Sequence, residues 1–330
     1  MKNYFLILTV FVIGVVIGLL GHNFNFPQSS GQLLSPMSSA PTETPKPLLK
    51  YSFDGLKQSV FTPKTISLTG NQFTFETREG LVSGTANIPD ACGTVRPKCP
   101  VVIMLRGYVD KEIYTPGMGT KKAAGVYAGK GYITLAPDFL GYGNSDPEPD
   151  NEIEARLIKP ATVLQLLASI SNLPVADPKS VFLWGHSNGG QIGLSVLTAT
   201  NKIKAATFWA PVSKHFPYSI LYYTGDLDDH GKYLRKAISG FESVYDPELF
   251  SITNYFDRIE TPLIVHQGTG DEAVPWKWSM DLVGNLQSLK KDAVLYQYSG
   301  ADHNLTPGWS SVVDTDLKFF RGYISLPPAD

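Results

Sequence analysis

The chain has 330 residues, 43% of them hydrophobic, enough to bury a sizeable core as one large domain or two small ones. Its formal net charge is −2 and it has no block of Lys or Arg, which argues against a nucleic-acid partner held through phosphates. The two cysteines do not have zinc-ligand spacing, and the sequence has no metal-binding or cofactor motif.

Residues Tyr4 to Leu20 form an uninterrupted apolar run preceded by Lys2. As a helix it would be about 26 Å long, close to the thickness of a bilayer core. It ends in Leu19-Leu20-Gly21-His22-Asn23, without the small-residue site of a cleaved leader. We therefore expect residues 1–22 to be a single-pass membrane anchor, with a cleaved signal segment and a secreted product as the alternative. No Lys or Arg follows until Lys46, which places the N-terminus in the cytoplasm and the rest outside. Residues 23–50 are rich in Pro, Ser, Thr and Gln and read as a flexible linker. The folded domain is expected over residues 51–330.

Short strands are predicted at Thr65–Leu68, Gln72–Thr77 and Leu81–Ile88. Cys92 and Cys99 flank a turn-like segment; export would favour a local disulfide, and two free thiols are the alternative. Buried runs at Val101–Leu105, Tyr132–Ala136, Val181–Trp184, Ala205–Trp209, Leu263–His266 and Ala293–Tyr298 then alternate with helical patterns. Those patterns cover 119–130, 153–171, 189–200, 276–290 and 310–323. This alternation predicts an α/β fold: a mostly parallel sheet covered by helices on both faces, with chemistry at the carboxyl ends of its strands.

Gly185-His186-Ser187-Asn188-Gly189 matches G-x-S-x-G, placed directly after an apolar strand and directly before a helix. That is the setting of a nucleophile elbow in an α/β-hydrolase fold. A serine hydroxyl needs a base, and the base needs a carboxylate, in the chain order Ser, acid, His. His215 and His230 precede the acid loop and His266 lies within a strand, which leaves His303 as the base. Asp271, after the turn Gly268-Thr269-Gly270, is the expected acid, with Glu272 and Asp302 as alternatives. An oxyanion hole requires two N–H donors; Asn188 and Tyr108 are expected to supply them.

With these residues in place, the chain resembles the catalytic domain of the prolyl oligopeptidase family from about Gln72 to Tyr323. The resemblance rests on Val101–Tyr108, Pro137–Ser145, Gly185–Gly190, Ala210–Ser213, Tyr245–Trp276 and Gly300–Asn304. It implies a serine peptidase, or one of the stand-alone esterases related to that domain. Two features depart from the family. Arg106 stands where the family usually has His, and it is expected either to bind substrate or to cap the strand end on the surface. The larger peptidases carry a β-propeller, and residues 51–100 are too few to form one.

An insertion at about 212–258, expected after the sixth strand, is dense in aromatic residues. Together with Trp276, its Tyr222 and Tyr223 are candidate substrate-binding residues. The expected partners are a small-molecule ester or short peptide substrate and the membrane, without a cofactor. An acyltransferase on the same triad and a membrane-tethered binding protein with a relict fold are the rival readings.

Overall fold

The computed structural model describes residues 45–324. The expected anchor, residues 1–22, and most of the expected linker lie outside these residues. Among the described residues no helix is long and apolar enough to cross a membrane.

Nine strands form one sheet in the order β1-β2-β3-β5-β4-β6-β7-β8-β9. β1 (Ile66–Thr69), β2 (Gln72–Glu76) and β3 (Leu81–Asn87) form an antiparallel meander that joins β5 (Ile133–Pro137) antiparallel. From β5 onward the pairs are parallel, through β4 (Cys99–Leu105), β6 (Ala176–His186), β7 (Ala206–Trp209), β8 (Leu263–Gly268) and β9 (Ala293–Tyr298). The parallel strands lack the alternation of a half-exposed strand because both sheet faces are covered. Along β4, Val101, Ile103 and Leu105 point into one core, while Val102 and Met104 point into the other. The first core is closed by α3 (Glu152–Ser169) and α4 (Asn188–Ala199), through residues such as Ile158, Leu166, Ile192 and Val196. The second is closed by α2 (Lys121–Gly129) and α8 (Trp309–Arg321), through Ala124, Tyr127, Val312, Leu317 and Phe320.

A buried polar cluster fastens α8 to the sheet. Asp316 has no solvent exposure; its carboxylate accepts from Tyr127 Oη at 2.8 Å, Trp209 Nε1 at 2.9 Å, Thr207 Oγ1 at 2.5 Å and His266 Nε2 at 2.8 Å. With four donors the carboxylate is well satisfied despite its burial. His266 is therefore a structural residue, as its position within a strand suggested.

The structure corrects two of the expected boundaries. The fold begins before Tyr51: a 3₁₀ turn over Pro47–Tyr51 buries Leu48, and the Leu48 N–H donates to Tyr245 Oη at 3.2 Å. The polar composition of the preceding stretch conceals these apolar residues. The insertion follows the seventh strand, β7, rather than the sixth. It contains α5 (Tyr218–Leu221) and α6 (Lys232–Glu242), and Phe216, Phe241, Tyr245, Phe250, Tyr255 and Phe256 are buried in it. α1 (Phe53–Gln58) packs against the same region, with Phe53 4.6 Å from Tyr255. Cys92 and Cys99 form a disulfide that ties the β3–β4 loop to the start of β4.

Candidate active site

Ser187 sits between the end of β6 and the start of α4 with φ 55° and ψ −120°, a strained conformation for a residue with a side chain. The neighbouring glycines make the turn possible. A Cβ at Gly185 would lie 2.7 Å from the Gly189 oxygen, and one at Gly189 would lie 2.0 Å from the Leu105 oxygen. The Ser187 N–H donates to Trp209 O at 2.9 Å, and its carbonyl accepts from Val212 N at 3.1 Å. The end of β7 and the start of the loop after it thus hold the elbow. α4 directs its N-terminal dipole at the site, where it favours developing negative charge.

Asp271 lies in the loop between β8 and α7 (Trp276–Ser288). Its Oδ2 is 2.9 Å from His303 Nδ1 and accepts from Gln267 Nε2 at 2.9 Å. Its Oδ1 accepts the N–H groups of Ala273 at 2.9 Å and Val274 at 2.8 Å. Burial pushes the Asp271 pKa up, but the His303 hydrogen bond and these other donors outweigh it and hold the carboxyl below its ordinary value. The acid and histidine loops are also tied to each other, through Gly270 N to Ala301 O at 3.0 Å and Gly300 N to Thr269 Oγ1 at 2.8 Å. Of the alternative acids, Glu272 is exposed, and Asp302 accepts Asn304 N and Thr306 N to shape the histidine loop.

With Nδ1 donating to a carboxylate, His303 presents Nε2 as the acceptor. Among the described residues His303 Nε2 and Ser187 Oγ make no hydrogen bond, to each other or to another group, so both are available to a substrate. Such contacts commonly tighten only when substrate binds.

At the candidate oxyanion hole, a Cβ on Gly107 would lie 3.2 Å from Ser187 Cβ, which places the loop after β4 directly beside the nucleophile. The Tyr108 N–H has no acceptor among the described residues, and Asn188 opens α4, where an N–H has no partner within the helix. The Tyr108 side chain is 63% exposed, and its hydroxyl is already engaged, donating to Asp110 at 2.7 Å.

One sequence-based assignment is overturned. Arg106 is buried in an aromatic cage, not open to substrate or capping the strand on the surface. Trp276 is partly exposed at the start of α7; two residues on, the buried Trp278 meets Tyr222 at 4.8 Å and Tyr223 at 6.4 Å. Tyr218, Tyr222 and Tyr223 are partly exposed around it, and Trp278 packs with Val212 and Val274, neighbours of the elbow and of the acid loop.

Two residues were missed from sequence. Gln267, buried at the end of β8, holds Asp271 and accepts from Ser279 Oγ at 2.7 Å; a polar residue closing an apolar strand was the available signal. His186 packs its ring 4.5 Å from that of His303. As the variable position of G-x-S-x-G, it gave no signal.

A sequence model of the prolyl oligopeptidase family matches residues 120–324, more than half of the chain, and spans all of these loops except the one after β4. The chain belongs to that family of serine hydrolases. It is 25% identical over 138 residues to the uncharacterized peptidase YuxL of Bacillus subtilis (strain 168), a match that covers 42% of this chain and 20% of that protein. The fold is similar to that of Pyrococcus horikoshii acylaminoacyl peptidase (TM-score 0.60, 18% identity, 81% of this chain and 43% of that one). It is also similar to Est1E from Butyrivibrio proteoclasticus, solved with ferulic acid (TM-score 0.57, 19% identity, 76% and 98%).

Proposed function

We propose that the chain hydrolyses esters or amides of small substrates, including short peptides, through an acyl-enzyme on Ser187. The observation that carries this reading is the Asp271–His303 hydrogen bond beside a serine at a strained strand–helix turn. In this reading Ser187 Oγ attacks the substrate carbonyl carbon while its proton passes to His303 Nε2. Asp271 holds the imidazole in the tautomer that can accept that proton and stabilises the imidazolium. The N–H groups of Asn188 and Tyr108 receive the negative charge on the carbonyl oxygen. His303 then protonates the leaving alcohol or amine, and water, deprotonated by His303, releases the acid. The exposed tyrosines around Trp278 form the surface against which the acyl group lies.

The family supports a peptidase. An ester branch is the second reading, supported by the fold's likeness to Est1E, solved with ferulic acid. The deciding experiment compares p-nitrophenyl acyl esters with peptidyl anilides, some containing proline, on wild type and Ser187→Ala. Anilide turnover lost in the variant establishes a peptidase; ester turnover alone establishes an esterase. Turnover that survives Ser187→Ala would sink both.

We propose further that Tyr4–Leu20 anchors the enzyme with its catalytic domain outside the cytoplasm. The apolar run and the charge asymmetry around it support this, as does the Cys92–Cys99 disulfide, which suits an oxidising compartment. Release of the full chain from membranes by alkaline carbonate would contradict it.

A further inference from the structure

Arg106 follows β4 directly and is only 5% exposed. Among the described residues its guanidinium has no carboxylate partner within salt-bridge distance. The Asp138 carboxylate is engaged by Ser83 Oγ at 2.6 Å and by Tyr114 Oη. The cation instead lies 4.1 Å from the ring centre of Tyr142 and 4.5 Å from that of Tyr114, held by cation–π attraction. Its Nη2 donates to Asp138 O at 3.2 Å, and its Nη1 donates to Gly107 O at 3.0 Å. A buried cation is a poor means of stabilising a core, since an apolar side chain of similar volume generally does as well. The arrangement calls for another explanation, and the carbonyl of Gly107 supplies one.

Gly107 O and the Tyr108 N–H belong to the same peptide unit. That unit is trans, so the two groups point in opposite directions. Holding the carbonyl toward the cage therefore turns the N–H away from it, and among the described residues this N–H has no acceptor of its own. A charged donor on the carbonyl also polarises the peptide and strengthens its N–H as a donor. We infer that Arg106 is a positioning residue for the oxyanion hole: its guanidinium orients and polarises the Gly107–Tyr108 peptide so that the Tyr108 N–H faces the oxyanion formed on Ser187. The inference rests on the proposed function, in which Tyr108 is one of the two donors. It also accounts for an arginine at the position where the resemblance leads one to expect histidine.

The test compares full-length wild type with Arg106→Met, which loses every donor, and Arg106→Lys, which keeps the charge but loses the planar fork of donors. Active sites are counted with a fluorophosphonate. The rate on a p-nitrophenyl ester and the inhibition constant of an aryl trifluoromethyl ketone, whose hemiketal presents an oxyanion, are then read per active site. The expected result is a fall in kcat of about 100-fold for Met and about tenfold for Lys, with KM within twofold. The ketone's inhibition constant should rise by the same factors. If Arg106→Met does not fold, the Lys variant alone decides. A merely structural role would lower the count of active sites and the melting temperature while leaving kcat per site and ketone affinity unchanged, and that result overturns the inference. Absence of Ser187-dependent turnover in wild type would instead overturn the hydrolase reading itself.

Discussion

His186 Nε2 lies 2.9 Å from the main-chain oxygen of His303, and the two imidazoles pack with their centres 4.5 Å apart. A carbonyl can only accept, so His186 carries its proton on Nε2 and is a donor to the loop that holds the base. Burial, reinforced by the neighbouring His303, lowers the His186 pKa from the ordinary 6.5 to about 4. The main-chain bond and the carboxylates of Asp271 and Asp302 oppose that shift without cancelling it.

This shift predicts a pH dependence of stability. An unfolded chain takes up a proton at His186 near pH 6.5, whereas the folded chain resists until about pH 4. The contribution is therefore complete above pH 6.5 and is lost as the pH falls to about 4. His186→Gln keeps an amide donor but does not titrate, so its urea midpoint should decline less than that of wild type across this window. Parallel declines would show that His186 is not held neutral by the fold.

Asp271→Asn should leave the fold intact and reduce kcat by roughly 10³–10⁴, because the amide can no longer hold His303 in the tautomer with a free Nε2. KM should change little. Steady-state kinetics on a p-nitrophenyl ester check this, and a variant within tenfold of wild type would point to a different acid.

Gly107→Ala places a methyl group 3.2 Å from Ser187 Cβ and 3.6 Å from the His186 main-chain oxygen. Both neighbours belong to the strained elbow and have little room to move. The expected result is a drop in kcat of about tenfold or more, larger than any change in melting temperature would suggest. Unchanged kcat would mean that the loop after β4 sits farther from the reacting carbonyl than proposed.

Tyr222 is 41% exposed over the buried Trp278, so Tyr222→Ala removes accessible aromatic surface without opening the core. KM for an arylpropanoyl ester should rise about fivefold while that for an acetyl ester stays nearly constant, since loss of ground-state contact acts on binding. Equal effects on both esters would remove this tyrosine from the acyl-binding surface.

The parts of the site legible in the sequence are those fixed by local rules. Ser187 was readable because its glycines and its strand–helix context are adjacent in the chain. Asp271 and His303 followed from the order of strands, each lying just past a carboxyl end. Arg106 was not readable, because its cage is built by Tyr114, eight residues on in the same loop, and by Tyr142 of the loop after β5, which only folding brings together. Trp278, two residues beyond Trp276 in α7, was overlooked for a geometric reason. Two residues along a helix turn a side chain through about 200°, to nearly the opposite face. Leu48 was lost in a polar stretch because a single 3₁₀ turn is too short to give a periodic signal.

The central claim is that Ser187 is the nucleophile activated by His303. Its most direct test is to treat the full-length chain with a fluorophosphonate and locate the adduct by peptide mass spectrometry, with His303→Ala in parallel. The account predicts one adduct per chain, on Ser187, formed at least 100-fold more slowly in the variant. Labelling elsewhere, or at equal rates in the two proteins, would contradict it.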